Sequence, residues 1–329
     1  MKIIVTGGAG YIGSIAVERL VERGDTVTVL DNVWRGHSKA VPEGVELRLV
    51  DLRDGPAVDL AISRTKPDAV MHFAAATIVP ESVTNPADYF AINVSGSLNV
   101  LAAVARAGVR KFVFSSTAAV YGEPAPGQEF LTESSPLCPI NPYGVSKYVV
   151  EKMLPAFERA HGLSSVTFRY FNVAGATHER GEDHRPETHV IPVALQTLQG
   201  KRPSFSIFGT DYPTPDGTAI RDYVHVLDLV DAHLLALDRL EITQGAFNLG
   251  SRDGYSVRQI VEAVERVTGR SLAVVEAPRR EGDPPVLIAD STRARTELGW
   301  RPSRLSLDEM IRSAWEWMQR HPEGYDPRA

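Results

Sequence analysis

Apolar runs of strand length alternate with longer amphipathic stretches through the first half of the chain. The strand-like runs are Lys2–Thr6, Thr26–Leu30, Val45–Val50, Ala69–Phe73, Lys111–Ser115 and Ser165–Tyr170. The helix-like stretches between them are Tyr11–Arg23, Gly55–Thr65, Pro86–Ala107 and Pro142–His161. Near-continuous apolar strands separated by helices are typical of a parallel sheet covered on both faces. The pattern therefore predicts an α/β fold built on a doubly wound parallel sheet.

The second half follows this alternation less clearly. Residues 172–220 are rich in Gly, Pro, Asp and Thr, with one helix predicted at Ile191–Gln199 and a turn-rich loop at Asp211–Gly217. Further on, helices are predicted at Val226–Leu240, Val257–Thr268 and Leu307–Arg320, and strands at Ala246–Leu249 and Leu272–Glu276. The pattern predicts a larger domain of residues 1–173 and 219–249, interleaved with a smaller one of residues 174–218 and 250–329.

Composition narrows the class of protein. The 329 residues carry a net charge of −6, which argues against a nucleic-acid-binding protein. The single cysteine, Cys138, excludes an internal disulfide and a cysteine-built metal cluster, and we predict no metal site. The chain begins on a strand-like run without a signal sequence, and no apolar run approaches the ~20 residues that cross a bilayer. We therefore expect a soluble, cytoplasmic protein.

A glycine-rich turn joins the first strand to the first helix. Gly7, Gly10 and Gly13 follow the spacing G-x-x-G-x-x-G, a variant of the dinucleotide-binding fingerprint. Asp31 ends the second strand, where a carboxylate would bind the adenosine ribose and repel a 2′-phosphate, so NAD is favoured over NADP. Arg35 weakens that preference. Asp51 is a second candidate cofactor residue, at the edge of the adenine ring. The alternatives to cofactor binding are that the glycines serve only packing and that the two aspartates only cap turns.

A candidate catalytic pair lies at the start of a predicted helix. Tyr143 and Lys147 are four residues apart and share a helix face, so we expect the cation to lower the pKa of the phenol. Such a tyrosine can act as a general acid or base. Thr117 follows the fifth strand, and its hydroxyl could pass a proton between a substrate hydroxyl and Tyr143. A surface Tyr–Lys pair and a loop-capping threonine remain the alternatives.

These residues resemble the extended short-chain dehydrogenase/reductase family, and within it the UDP-sugar 4-epimerases. The likeness extends over essentially the whole chain. It is carried, besides the motifs above, by Phe73–Ala75, Asn93, Ser115–Tyr121, Arg169–Asn172, Ile207–Gly209, Asp211–Thr218, Arg221–His225, Ala277–Asp283, Trp315–Trp317 and His321–Tyr325. The resemblance implies that the larger domain is a Rossmann domain for NAD and the smaller one binds the UDP-sugar.

The resemblance also assigns roles to individual residues. Thr117, Tyr143 and Lys147 would be catalytic. The residues expected at the cofactor are Gly7, Gly10, Tyr11, Ile12, Gly13, Asp31, Asn32, Asp51, Leu52, Phe73, Ala74, Ala75, Asn93, Ser115, Tyr143, Lys147 and Tyr170. Those expected at the substrate are Thr117, Tyr143, Asn172, His189, Val190, Ser206, Phe208, Arg221, Arg280, Asp283 and Leu287. Surface salt bridges for the arginines, a turn role for Asp283 and core packing for Phe208 are the competing interpretations.

The implied reaction is 4-epimerisation of a UDP-hexose, UDP-glucose or UDP-galactose, through a transient 4-keto sugar. Related 4,6-dehydratases carry acidic residues where this chain has Ala118 and Ala119, and UDP-glucuronate decarboxylases likewise carry an acid in that stretch. A UDP-glucuronate 4-epimerase, a sugar dehydrogenase that releases NADH and a non-catalytic NAD-binding regulator stay as alternatives.

Three positions depart from the family pattern. Thr77 replaces a lysine that approaches the cofactor in some members, which leaves cofactor retention open. His189 replaces an asparagine at the diphosphate, and a plain loop histidine is an equal alternative. Leu287 is intermediate in size at a pocket-lining position, so the N-acetylated UDP-sugars stay open as substrates. The resemblance further implies a homodimer in which Pro86–Ala107 and Pro142–His161 pair across a two-fold axis.

Overall fold

The computed structural model describes residues 1–125, 127–240, 242–280 and 282–325. The strands are β1 (Lys2–Thr6), β2 (Thr26–Asp31), β3 (Glu46–Leu49), β4 (Ala69–His72), β5 (Lys111–Ser115), β6 (Ser164–Tyr170), β7 (Asn172–Ala174), β8 (Phe205–Phe208), β9 (Ile220–His225), β10 (Gly245–Leu249), β11 (Gly254–Ser256), β12 (Val274–Ala277) and β13 (Val286–Leu287). The helices are α1 (Tyr11–Glu22), α2 (Gly55–Thr65), α3 (Val79–Thr84), α4 (Pro86–Tyr89), α5 (Gly96–Arg106), α6 (Pro142–His161), α7 (Val190–Leu198), α8 (Val226–Arg239), α9 (Val257–Thr268) and α10 (Leu307–Arg320).

Seven parallel strands form the main sheet, in the order β10-β6-β5-β4-β1-β2-β3. Alternate residues of β1 enter two different cores: Ile3 and Val5 pack in the core that includes α1 and α8, and Ile4 packs in the core that includes α2, α5 and α6. Both faces of the sheet are therefore covered by helices. This confirms the doubly wound α/β fold, and it explains why the strands read as unbroken apolar runs.

Helix boundaries follow local capping chemistry. The side chain of Asn141 accepts a hydrogen bond from the N–H of Gly144, with Pro142 in the first turn, and α6 ends at Gly162, which has a φ of 64°. These are ordinary start and stop signals, and the predicted helix Pro142–His161 is observed. The predicted helix Pro86–Ala107 is instead divided into α4, a π-helical segment at Phe90–Ser95, and α5.

The second half contains more strands than its sequence pattern predicted. β9 is the centre of a small sheet, where it pairs with β7, β11 and β13, and β8 pairs with β12. These strands have two to six residues, too few to show a hydrophobic period. Within residues 219–249, which the predicted division assigned to the larger domain, β9 lies in the small sheet, α8 packs in the core of the main sheet and β10 joins the main sheet, so the division stays a prediction. Among the described residues, no helix is both long and apolar enough to cross a membrane.

Asp222 on β9 joins the small sheet to the segments that follow β10 and β13. It is fully buried. One carboxylate oxygen accepts hydrogen bonds from the N–H and the hydroxyl of Ser251 at 2.7 and 2.8 Å. The other accepts from the N–H of Ala289 at 3.0 Å and that of Arg252 at 3.2 Å. Burial raises the pKa of Asp222 to about 6, although these donors act in the opposite direction.

Asp222→Asn should destabilise the fold, because an amide nitrogen cannot accept the two hydrogen bonds that one carboxylate oxygen accepts. Leaving buried N–H groups unpaired costs about 1–3 kcal/mol. Urea unfolding of the variant should show that loss. Asp231→Asn is the matched control, since Asp231 is 40% exposed and its contacts with Arg19 and Arg304 are 3.8 Å long. Equal unfolding free energies for the two variants would contradict the role given to Asp222.

Candidate active site

The turn between β1 and α1 leaves the first backbone N–H groups of the helix without a side-chain cap. Gly7 has a φ of 74°, and a Cβ atom there would lie 2.5 Å from the backbone nitrogen of Ala74. A Cβ on Gly13 would lie 2.1 Å from the carbonyl oxygen of Gly7. At Gly10, which precedes α1, no side chain caps the helix, and its first turn holds no acidic residue. Free N–H groups and the positive end of the helix dipole suit a pyrophosphate, so this turn fits a dinucleotide.

Asp31 lies beside this turn at the end of β2. Its carboxylate accepts hydrogen bonds from the N–H of Ala9 at 3.0 Å and from that of Val33 at 2.8 Å. Burial raises the pKa of the carboxyl group, against the effect of these backbone donors. The Val33 contact is the local turn cap that the sequence also allowed. A carboxylate has about four acceptor sites, so both roles are compatible, and the ribose contact stays a prediction.

The other candidates at the adenosine end already have polar partners within the chain. Asp51 pairs with Arg53 at 2.6 Å, and the hydrogen bond from Arg53 lowers the pKa of Asp51 to about 2. Asn32 donates to Asp51 at 3.3 Å. Arg35 pairs with Glu81 at 2.7 Å, so its guanidinium already has an anionic partner, which removes the support that Arg35 offered for NADP.

Several predicted cofactor residues have structural partners of their own. The side-chain amide of Asn93 bonds both the N–H and the C=O of Ala76 and also the hydroxyl of Ser146. The ring of Phe73 stacks on His233 with centroids 4.9 Å apart. The remaining members lie at or just after the carboxyl ends of β3 to β6, or at the start of α1: Tyr11, Ile12, Leu52, Ala74, Ala75, Ser115 and Tyr170. Thr77 is exposed.

The candidate catalytic residues meet where β5 ends and α6 begins. Thr117 caps a 3₁₀ turn at Ala118–Val120, accepting from the N–H of Ala119 at 3.1 Å, and its side chain lies near enough to the phenol of Tyr143 to lower the pKa of that phenol. A Cβ on Gly144 would lie 2.5 Å from the carbonyl oxygen of Ala119, so glycine lets α6 approach this turn. The ammonium of Lys147 donates to the carbonyl of Ser115 at 2.8 Å.

The charge environment of Tyr143 differs from the expectation. Burial raises its pKa to about 12, and the hydrogen bond from Thr117 only partly offsets this. Burial also lowers the pKa of Lys147 to about 7. The expected lowering of the tyrosine pKa by Lys147 is wrong for this structure, because the ammonium points at a backbone carbonyl and the desolvation of the phenol dominates. Helix spacing predicted a shared face but not the direction of the Lys147 side chain.

The candidate substrate residues form a second cluster around the small sheet. Arg221 on β9 forms a salt bridge with Asp283, and the guanidinium of Arg280 lies 4.0 Å from the centroid of the Phe208 ring. Leu287 is in register with Arg221 across the β13–β9 pair and packs against the hydrophobic cluster that includes Ala118. The arginine–aromatic cluster therefore adjoins the turn that carries Thr117. Glu281, within the motif Ala277–Asp283, is outside the described residues.

The other substrate candidates lie on neighbouring elements. Ser206 shares a face of β8 with Phe208, because residues two apart on a strand point the same way. The amide of Asn172 donates to the carbonyl of Asp222 at 3.0 Å. His189 precedes α7 and Val190 begins it. His189 contacts the carboxylates of Glu182 and Glu187, two residues that the sequence pattern did not single out.

Lys147→Met should change how stability depends on pH. The folded pKa of Lys147 lies near 7, below its ordinary value of 10.5, so between these values the unfolded chain binds a proton that the folded chain has released. The free energy of unfolding should therefore rise with pH over that interval. Urea unfolding of NAD-free protein at pH 7 and pH 9 should show a smaller rise in Lys147→Met. Lys152→Met, on an exposed position of α6, is the control; equal rises in both variants would contradict the assignment.

Comparisons with known proteins agree with this geometry. The NAD dependent epimerase/dehydratase family matches residues 3–250. The chain is 48% identical to UDP-glucose 4-epimerase of Lacticaseibacillus casei over 332 aligned residues that cover all of both chains. It superposes on a crystal structure of a UDP-glucose 4-epimerase with a TM-score of 0.96, at 46% identity over 99% of this chain and 100% of the other. For the UDP-glucose 4-epimerase from Bifidobacterium longum in complex with NAD⁺ and UDP, the TM-score is 0.92 at 33% identity, over 98% and 100% of the chains. The chain thus belongs to the NAD dependent epimerase/dehydratase family.

Proposed function

We propose that this chain interconverts UDP-hexoses that differ at C4, with UDP-glucose and UDP-galactose as its pair of substrates and NAD as its cofactor. The observation that carries the proposal is the buried pair of Thr117 and Tyr143, whose side chains interact, with alanines at 118 and 119. That pair can transfer one proton to or from a sugar hydroxyl. An elimination of water would need an acid at those alanine positions, so reversible oxidation at one carbon is the chemistry that the site supports.

NAD fits the first half of the site. The uncapped N-terminus of α1 would hold the pyrophosphate, and Asp31 would accept from the ribose hydroxyls. A bound nicotinamide supplies reversible two-electron oxidation at C4 of the sugar. The hydrogen bond from Lys147 to the carbonyl of Ser115 would hold the start of α6 against the end of β5 beside the cofactor. Both Lys147 and Tyr143 are at least nine-tenths buried, so water is excluded from the reacting groups.

The protein's own residues would move the proton. The hydroxyl of Thr117 accepts from the N–H of Ala119 and lies beside the phenol of Tyr143, so it can relay a proton between a sugar hydroxyl and the phenol. With its pKa near 12, Tyr143 is protonated at neutral pH in the protein alone. Binding of a positively charged ring nearby would lower the pKa of Tyr143 and favour the phenolate. The phenolate could then accept the proton of the sugar hydroxyl, so proton transfer would depend on a loaded site.

The cluster around β9 would anchor the nucleotide and leave the sugar free to turn. Arg221 and Arg280 are suited to phosphate oxygens, and the Phe208 ring that Arg280 covers offers a flat apolar face to a base. Asp283 neutralises Arg221 in the protein alone. Leu287 is partly exposed at the edge of this cluster, and its intermediate size keeps the N-acetylated UDP-sugars as a second substrate pair to be tested.

We further propose that two chains associate through Pro86–Ala107 and Pro142–His161, and that the enzyme works in the cytoplasm. Phe90 and Leu98 are 38% and 45% exposed on this surface, and burial against a second copy would remove this apolar area from water. Cys138 is exposed and unpaired, which suits a reducing compartment.

Leu98→Glu should therefore weaken dimerisation, because it would bury a charge in the interface. Sedimentation equilibrium should give twice the chain mass for the wild type and a lower mass for the variant. Leu60→Glu is the matched control, since Leu60 is 49% exposed on α2, outside the proposed surface. A wild-type monomer, or a dimer that withstands Leu98→Glu, would contradict the proposed interface.

Incubation with UDP-galactose tests the activity. UDP-glucose should form without stoichiometric release of NADH, and parallel reactions with UDP-glucuronate and UDP-N-acetylglucosamine define specificity. NADH accumulation would identify a dehydrogenase, and absence of any product would favour a regulator. Tyr143→Phe should lower turnover by a factor of about 10²–10⁴, the usual worth of a positioned acid–base group. Tyr148→Phe, five residues further along α6, should retain activity; equal activity of both variants would remove Tyr143 from the mechanism.

A further inference from the structure

Four side chains from one eight-residue stretch converge just before α7. They are Glu182, His184, Glu187 and His189, and one donor atom from each lies within 4.8 Å of all the others. One oxygen of Glu182 lies 3.0 Å from Nδ1 of His184 and 2.8 Å from Nδ1 of His189. An oxygen of Glu187 lies 2.8 Å from the same nitrogen of His189. Both imidazole rings therefore direct Nδ1 at the two carboxylates.

Glu187 is the unusual member of this group. Its side chain is only 2% exposed. Its Oε1 atom accepts hydrogen bonds from the backbone N–H groups of Thr188 and His189, at 2.7 and 2.8 Å. Its Oε2 atom is buried with no hydrogen-bond partner and lies 4.0 Å from Nδ1 of His184. A buried carboxylate oxygen without a donor is costly, so the arrangement is incomplete as a set of histidine–glutamate pairs.

We propose that Glu182, His184, Glu187 and His189 bind one divalent transition-metal ion, of which Zn²⁺ is the type. With both imidazoles neutral, the four groups carry a charge of −2, which such an ion balances. Imidazole nitrogen and carboxylate oxygen are ordinary zinc ligands at about 2.0–2.2 Å, and tetrahedral donors at that radius are about 3.3–3.6 Å apart. Donors already within 4.8 Å need only small side-chain movements to reach this spacing. The ion would give Oε2 of Glu187 the partner that it lacks.

The donor set also selects among ions. Mg²⁺ and Ca²⁺ are bound through oxygen, and two imidazoles among four ligands disfavour them. An ion can reach the site from solvent past His189, whose side chain is 45% exposed. The side chains of Glu182 and Glu187 are buried behind it. Bound there, it would hold the loop of residues 182–189 against the start of α7. This inference is independent of the proposed function, since metal binding is measured without turnover.

The test is a Zn²⁺ titration of the untagged full chain, with NAD bound and after removal of metals by a chelator, in competition with a chromogenic zinc indicator. The wild type should bind one Zn²⁺ per chain. His184→Gln and Glu187→Gln should each weaken that site by at least about tenfold, since even partners outside the ligand shell are worth that much. His178→Gln is the matched control, because His178 contacts Glu179 at 2.8 Å in a fully surface pair, 74% and 63% exposed. Cys138→Ser excludes a thiolate ligand; both controls should bind as the wild type does.

Absence of stoichiometric Zn²⁺ binding by the wild type would overturn the proposal. So would wild-type affinity in both folded ligand variants. If either variant fails to fold, Co²⁺ absorption of the wild type decides the question. Visible bands of four-coordinate Co²⁺ that saturate at one ion per chain would support the site, and their absence at saturating Co²⁺ would refute it.

Discussion

Two backbone segments approach too closely for a side chain where β1 turns into α1. The Cβ of any residue at position 13 would lie 2.1 Å from the carbonyl oxygen of Gly7, and one at position 7 would meet the backbone of Ala74. This contact places the helix N-terminus directly at the carboxyl edge of the sheet. Because β1 lies between β4 and β2 in a parallel sheet, the ends of these strands share that edge. The position of the candidate cofactor site thus follows from a steric requirement on two glycines.

Desolvation governs the chemistry that this edge can support. Lys147 and Tyr143 are both buried, and burial disfavours the charged form of each. It lowers the pKa of Lys147 to about 7 and raises the pKa of Tyr143 to about 12. At neutral pH Tyr143 is therefore protonated and neutral, Lys147 is only partly protonated, and charge brought into the site would shift both equilibria.

The two halves of the molecule meet through buried polar contacts as well as apolar packing. Asp222 uses both oxygens to bind segments that leave the main sheet and the small sheet. The four donors that surround it explain how a fully buried carboxylate is tolerated. Oε2 of Glu187 is the counterexample, since it is buried without a donor. Asp222 is thus a carboxylate whose hydrogen bonds are complete within the fold, whereas Glu187 is one that we propose as a metal ligand.

The sequence by itself determined what depends on neighbours along the chain. The strand–helix alternation, the ends of α6 at Asn141 and Gly162, and the glycine turn are all local, and the main sheet and the candidate cofactor site were predicted from them. The short strands β7, β11 and β13 carry no readable period, and only their pairing with β9 makes a sheet. The tertiary structure decided three features of the candidate sites. These are the direction of the Lys147 ammonium, the double hydrogen bonding of Asn93 and the contact of Glu182 with His189. Side-chain direction and burial depend on segments distant in the chain, and these set both the pKa values and the choice of partner.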